Sequence, residues 1–193
     1  AEYLRLAADD AIGASNLHLN LNVDVLSASS SGTDSAGIYL TESDGIAIDA
    51  VTVTVTELES DSTTGTVTDL SQSDLTTGNG GNIVLVATAG NIVLDVGTNL
   101  GTAAVSANGS GNILIDALAG SVTANADVVS ATGHITMKSG SNLALTDSVA
   151  VTTGTPGTVS LDAEGGNLTM VGTATATATN SSLRIAASGN IAL

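Results

Sequence analysis

The pentapeptide Gly-Asn-Ile-Val-Leu stands at 81–85 and again at 90–94, with only Val86, Ala87, Thr88 and Ala89 between the copies. Ile83, Leu85, Ile92 and Leu94 step by two, so in an extended chain each pair points to one side. Gly81 and Gly90 mark the turns. No hairpin dipeptide stands in the frame that would return the second copy antiparallel to the first. The spacing therefore predicts a chain that turns a tight corner and begins the next wall of a coil.

The same gesture recurs along the chain. A small or polar corner residue followed by apolar-x-apolar reads SNLHL at 15–19, GIYL at 37–40, GIAI at 45–48, GNILI at 111–115 and GSVTA at 120–124. It continues as GHITM at 133–137, SNLAL at 141–145, GTVSL at 157–161, GNLTM at 166–170, SSLRI at 181–185 and GNIAL at 189–193. Short gaps alternate with long ones, and the pair leaders recur mostly every 22 to 30 residues. The long gaps hold a third alternating stretch: Val51–Thr56, Ala103–Ala107, Ala126–Ala131, Val149–Thr152 and Thr173–Thr179. Three short strands per coil of about 22–30 residues is the pattern of a parallel β-solenoid. The expectation is all-β, one unit over residues 1–193, with about eight coils stacked at about 4.8 Å.

Residues 57–80 break the period and read as an irregular acidic and polar loop around a degenerate coil at Thr66-Val67-Thr68. LRLAADDAIGA at 4–14 matches LRIAASGNIAL at 183–193, which places the two ends at equivalent points of a coil. With no polar cap in sight, the segment reads as part of a longer array.

A core without Phe or Trp, and with only Tyr3 and Tyr39 as aromatics, must be built from Val, Ile, Leu and Ala. That suits a narrow interior of repeated small layers. The net charge is −16, with Arg5, Lys138 and Arg184 the only cations. Nucleic-acid binding needs clustered Lys and Arg and is excluded on that ground, and attraction to anionic lipid is disfavoured. No apolar run is long enough for a membrane-spanning helix, so no membrane insertion is expected. No basic-then-apolar leader opens the chain. There is no Cys, hence no disulfide frame or thiolate chemistry.

Candidate sites are few. Asn16, Asn82, Asn91, Asn112, Asn142, Asn167 and Asn190 recur wherever the corner does, which predicts a structural ladder, with side chains hydrogen-bonded from coil to coil. Glu57, Glu59 and Asp61 alternate along one side of an extended chain and are the candidate ligands for Ca²⁺, a hard cation that takes six to eight oxygens. The alternative for them is a solvated acidic loop. GNGGN at 78–82 lacks the Lys-Ser/Thr and the helix of a phosphate loop. His18 and His134 have no second His or Cys near them in sequence and read as surface imidazoles. Sugar clefts with aromatic platforms, and lyases with cations to stabilise an enolate, are poorly served by this composition. The chain is therefore read as no enzyme, with no catalytic residues and no cofactor beyond Ca²⁺.

The coils GNIVLVATAGNIVLDV, GHITMKSGSNLALTD and GTVSLDAEGGNLTMVG resemble those of giant bacterial surface and secreted repeat proteins, the filamentous-haemagglutinin-like, two-partner-secreted adhesins. The resemblance covers nearly the whole chain and implies a right-handed parallel β-helix. It implies a structural shaft segment of an extracellular adhesin or filament, at the bacterial cell surface or in a biofilm matrix. End-to-end association of the chain with itself is expected through the strand ends at Ala1 and Leu193, because unpaired strand edges template further pairing. It transfers no site residue. The alternative is a secreted binding module that meets a cell-surface glycan or protein through residues 57–80, with Ca²⁺ assisting.

Overall fold

In a computed structural model, which describes residues 1–32, 37–97 and 102–193, the chain is a parallel β-solenoid with no helix among the described residues. Its broad wall is a parallel sheet of seven strands: β2 (Leu19–Leu21), β4 (Ile38–Glu42), β9 (Ile83–Ala87), β12 (Ile113–Ala117), β15 (Ile135–Ser139), β18 (Val159–Ala163) and β21 (Leu183–Ala187). A short wall carries β5 (Ile46–Ile48), β10 (Ile92–Leu94), β13 (Val122–Ala124), β16 (Leu143–Leu145), β19 (Leu168–Met170) and β22 (Ile191–Ala192). The third wall carries β8 (Leu75–Thr77), β11 (Ala103–Ala107), β14 (Asp127–Ser130), β17 (Ala150–Thr153) and β20 (Thr175–Ala178).

The period-two pattern becomes columns. Ile38, Ile83, Ile113, Ile135 and Val159 stack in register, as do Leu40, Leu85, Ile115, Met137 and Leu161. All ten are buried. Parallel strands buried on the inner face take β-branched and long aliphatic residues well. At the end of the third wall a different column appears. Ser30, Thr77, Ser130 and Thr153 point inward, and each hydroxyl donates to a backbone carbonyl at the corner: Asp10, Gly81, Gly111 and Gly133 respectively. Corner carbonyls, three of them on the buried Gly81, Gly111 and Gly133, are thereby satisfied.

Corners need glycine where backbones crowd. Gly90 has φ +72°, and a Cβ there would lie 2.5 Å from the Gly45 amide nitrogen of the preceding coil. At the first GNIVL copy Asn79 and Gly80, just before Gly81, have positive φ, so the two copies turn differently.

Three features depart from the sequence reading. First, the short and third walls are fused at the amino-terminal end. β3 (Val25–Ser30) is one strand whose Val25 and Leu26 pair with β5 while Ala28–Ser30 pair with β8. β1 (Tyr3–Ala8) pairs with the whole of β3. The similar segments 4–14 and 183–193 are consequently not equivalent, since β1 lies in the fused wall and β21 in the broad wall. Second, SNLHL does not open a strand at residue 15. Ile12 bridges Ile38, residues 13–18 bulge outward in a turn closed by Ala14 and Leu17, and β2 resumes at Leu19. Third, Val51–Thr56 is not a wall strand. Val51 pairs antiparallel with Gln72, and β6 (Thr54–Leu58) forms a hairpin with β7 (Thr64–Thr68) outside the coil. The third wall of that coil is β8, inside the stretch read as an irregular loop. Most of residues 57–80 is thus ordered as one arm of the hairpin, its turn, and a wall strand.

Candidate functional site

The asparagines form two ladders along two corners. Before the broad wall, Asn82 Oδ1 accepts the Asn112 amide at 2.8 Å, and Asn112 Oδ1 accepts the His134 amide at 2.8 Å. His134 continues the ladder, its Nδ1 accepting the Thr158 amide at 3.2 Å, which requires the ring hydrogen on Nε2. Before the short wall, Asn91 Oδ1 accepts from Ser121, Asn142 Oδ1 from Asn167, and Asn167 Oδ1 from Asn190, at 2.8 to 2.9 Å. Each side chain serves an amide of the next coil. Asn190 ends its ladder through its backbone amide, and Asn16 lies outside both ladders, in the exposed 13–18 turn.

Two aspartates also accept amides of the next coil, Asp127 at the start of β14 and Asp147 after the short wall. Asp127 Oδ1 accepts the Ala150 amide at 2.7 Å, and Asp147 Oδ1 accepts the Thr173 amide at 2.8 Å. The Thr173 amide and then its hydroxyl hold the Asp147 carboxyl below the usual range. The sequence signal for these two bonds is faint, because Asp here replaces Asn without a flanking glycine.

Glu57, Glu59 and Asp61 do not come together as ligands. Glu57 lies on β6 opposite Gly65, and the backbone of Glu59 exchanges bonds with Ser62 and Thr63. Asp61 Oδ1 accepts from the Thr63 hydroxyl at 2.6 Å and from its amide at 3.0 Å, which lowers the carboxyl's pKa and commits it to the hairpin turn. Among the described residues no three His, Cys, Asp or Glu side chains lie close enough to hold a metal ion.

Nothing in the local sequence marks Glu42 as a buried acceptor. It occupies an inward position, in register with Ala87 of the next coil, and is fully buried. Its carboxylate accepts the amides of Ser43 at 2.7 Å, Val23 at 3.2 Å and Asp44 at 3.4 Å. It therefore fills the corner where the fused wall begins, using oxygen where later coils use a methyl or a serine.

His18 and His134 lie apart, each with its ring Nδ1 2.9 Å from a threonine hydroxyl, Thr41 and Thr158. The three cations all sit beside carboxylates. Arg5 meets Asp69 at 3.5 Å, Lys138 meets Glu164 at 2.8 Å and Asp116 at 3.9 Å, and Arg184 meets Asp162 at 2.7 Å. Lys138 is raised above its ordinary pKa, first by the Glu164 hydrogen bond and then by Asp116. Asp116 is nonetheless pushed up, because burial outweighs an ammonium that leans towards Glu164. These groups stack across β12, β15, β18 and β21 as a charge ladder on the outer face of the broad wall. The arrangement binds coil to coil. Comparison of the chain with family models, with curated proteins and with solved structures found no match.

Proposed function

We propose that this chain is a non-enzymatic shaft segment of an extracellular bacterial adhesin or filament, in line with its resemblance to the filamentous-haemagglutinin-like proteins. The observation that carries this reading is the unbroken parallel register of the broad wall from β4 to β21, in which inward aliphatics repeat and side-chain ladders tie every coil to the next. Such a structure transmits length and stiffness. Its polar residues are spent on the next coil, leaving surface chemistry dominated by acid, Ser and Thr.

The end strands support stacking. Leu183 on β21 and Ile191 on β22 are 44% and 48% exposed, where their counterparts in inner coils are buried. Unpaired strand edges template further pairing. A further coil stacked on this end would cover them. Electron microscopy of the 193-residue chain at physiological salt tests the reading. End-to-end rods are expected, built from units of roughly 30 Å at about 4.8 Å per coil. Leu183→Lys with Ile191→Lys is expected to reduce them to single units. Persistence as single units at high concentration in the unaltered chain overturns self-stacking.

A further inference from the structure

Beyond the shaft, the β6–β7 hairpin stands out from the solenoid with an anchored base and free arms. Its base is fixed by the Arg5–Asp69 ion pair and by Gln72, whose amide donates to the Leu6 carbonyl at 2.8 Å. Beyond that base, every residue of β6 is exposed, and β7 is exposed apart from Gly65. A lone two-stranded hairpin is marginally stable in water, so these arms gain most from a further strand.

The hydrogen-bond phase shows where that strand would attach. The Asp69 amide bonds Val53 and the Glu59 amide bonds Thr63, which makes 53:69 and 59:63 hydrogen-bonded pairs. Alternation then turns the backbone groups of Thr54, Thr56 and Leu58 outward on one edge, and those of Thr64, Thr66 and Thr68 outward on the other. Natural edges are often guarded by charged side chains, Pro or a bulge; β7 carries none of these, and β6 carries only Glu57. Leu58 and Leu70, 76% and 87% exposed, supply apolar contact beside the arms.

Charge selects the occupant. Residues 51–73 carry Glu57, Glu59, Asp61 and Asp69 and no Lys or Arg. A second copy offers these arms no free cation, because Arg5, Lys138 and Arg184 already sit beside carboxylates. We propose that the hairpin is a docking element for an extended, Lys- or Arg-bearing segment of a partner protein, which adds to one free edge as a third strand.

The test measures binding of a synthetic peptide of about eight alternating Lys and Val residues, long enough to pair with one arm. A peptide of equal charge with Pro in place of Val is the control. Replacing residues 51–73 with a short Gly-Ser linker, with retained folding checked by circular dichroism, is expected to weaken binding about tenfold or more, about 1.4 kcal/mol. Thr56→Pro and Thr66→Pro each remove one outward amide while sparing the internal ladder, and one of the two is expected to weaken binding to a similar degree. Undiminished binding by the linker variant, or by both proline variants, overturns the proposal. Equal affinity for the proline peptide overturns it too, since that is charge attraction without strand addition. So does a hairpin-dependent glycan ligand with no peptide binding.

Discussion

The side-chain amide of Gln72 donates to the carbonyl of Leu6, 66 residues earlier, at the place where one continuous wall divides into two. The same nitrogen lies 3.3 Å from Ser27 Oγ, on the residue of β3 between the part that pairs with β5 and the part that pairs with β8. The chain leaves the wall at Asp49 and returns at Asp74, and Gln72 closes the fork that this excursion opens. One polar side chain thus joins the hairpin base, the first coil and the second.

Gln72→Ala should therefore cost more than a surface substitution. Two hydrogen bonds are lost and the Leu6 carbonyl goes without its amide, a destabilisation of about 1–2 kcal/mol. In a chain of this length that lowers the thermal midpoint by roughly 2–8 °C. Limited proteolysis should then cut within 50–73 faster than in the unaltered chain.

The asparagine ladder makes a graded prediction. Asn112→Ala leaves the His134 amide without its 2.8 Å acceptor, and Asn167→Ala does the same to Asn190. Each should cost about 0.5–1.5 kcal/mol in denaturant unfolding. Asn16→Ala, outside the ladder, should fall within about 0.5 kcal/mol of no change. A cost at Asn16 equal to that at Asn112 would contradict the ladder as drawn.

Glu42 is the sharpest core test. Glu42→Ala copies the residue that Ala87 places in the next coil, but strips the Val23 and Ser43 amides of their acceptor. The expected loss is about 2–4 kcal/mol, from two amides left unsatisfied in or beside the interior. Glu42→Gln retains one carbonyl oxygen and should lose less. Equilibrium unfolding of both variants decides the order.

Acid should act in opposite directions on two aspartates. Burial first, and the Asp49 charge after it, push the Asp74 carboxyl up, against hydrogen bonds from Ser73 and the Gly97 amide. Its ionisation therefore penalises the fold above its raised pKa, and the penalty vanishes once pH falls below the unfolded value of about 3.9. Asp74→Asn, which keeps a residue suited to φ +72°, should raise the thermal midpoint at pH 7 and show no gain in acid. Asp147 runs the other way. Its lowered pKa contributes stability above the unfolded value that is lost as pH falls through the folded one. Asp147→Ala should lower the midpoint at pH 7 and converge on the unaltered chain in acid. Thermal melts across pH 3 to 7 check both signs.

Much of the architecture was legible because its causes are local. The steps of two in GNIVL, GNILI and GHITM place Ile83, Leu85, Ile113, Ile115, Ile135 and Met137 inward whatever the fold, and identical strands stacked in parallel bring identical residues together. The asparagine after each corner glycine could be read for the same reason. Val51–Thr56 could not. Alternating Val and Thr suits a wall strand and a hairpin arm equally, and only the competition for β3 decided, where Leu75, Thr76 and Thr77 pair with Ala28, Ser29 and Ser30 and leave the Val-Thr run outside.

The sequence by itself determined a coiled, aliphatic, acid-coated β-structure with glycine and asparagine at its corners. Only the tertiary structure decided that two walls fuse at β1 and β3, that Glu42 is a buried acceptor, and that a hairpin leaves the shaft at Asp49. Side-chain alternation and turn preference are properties of a few neighbouring residues. The choice of which edge a strand pairs with depends on chain tens of residues away, and no local pattern records it.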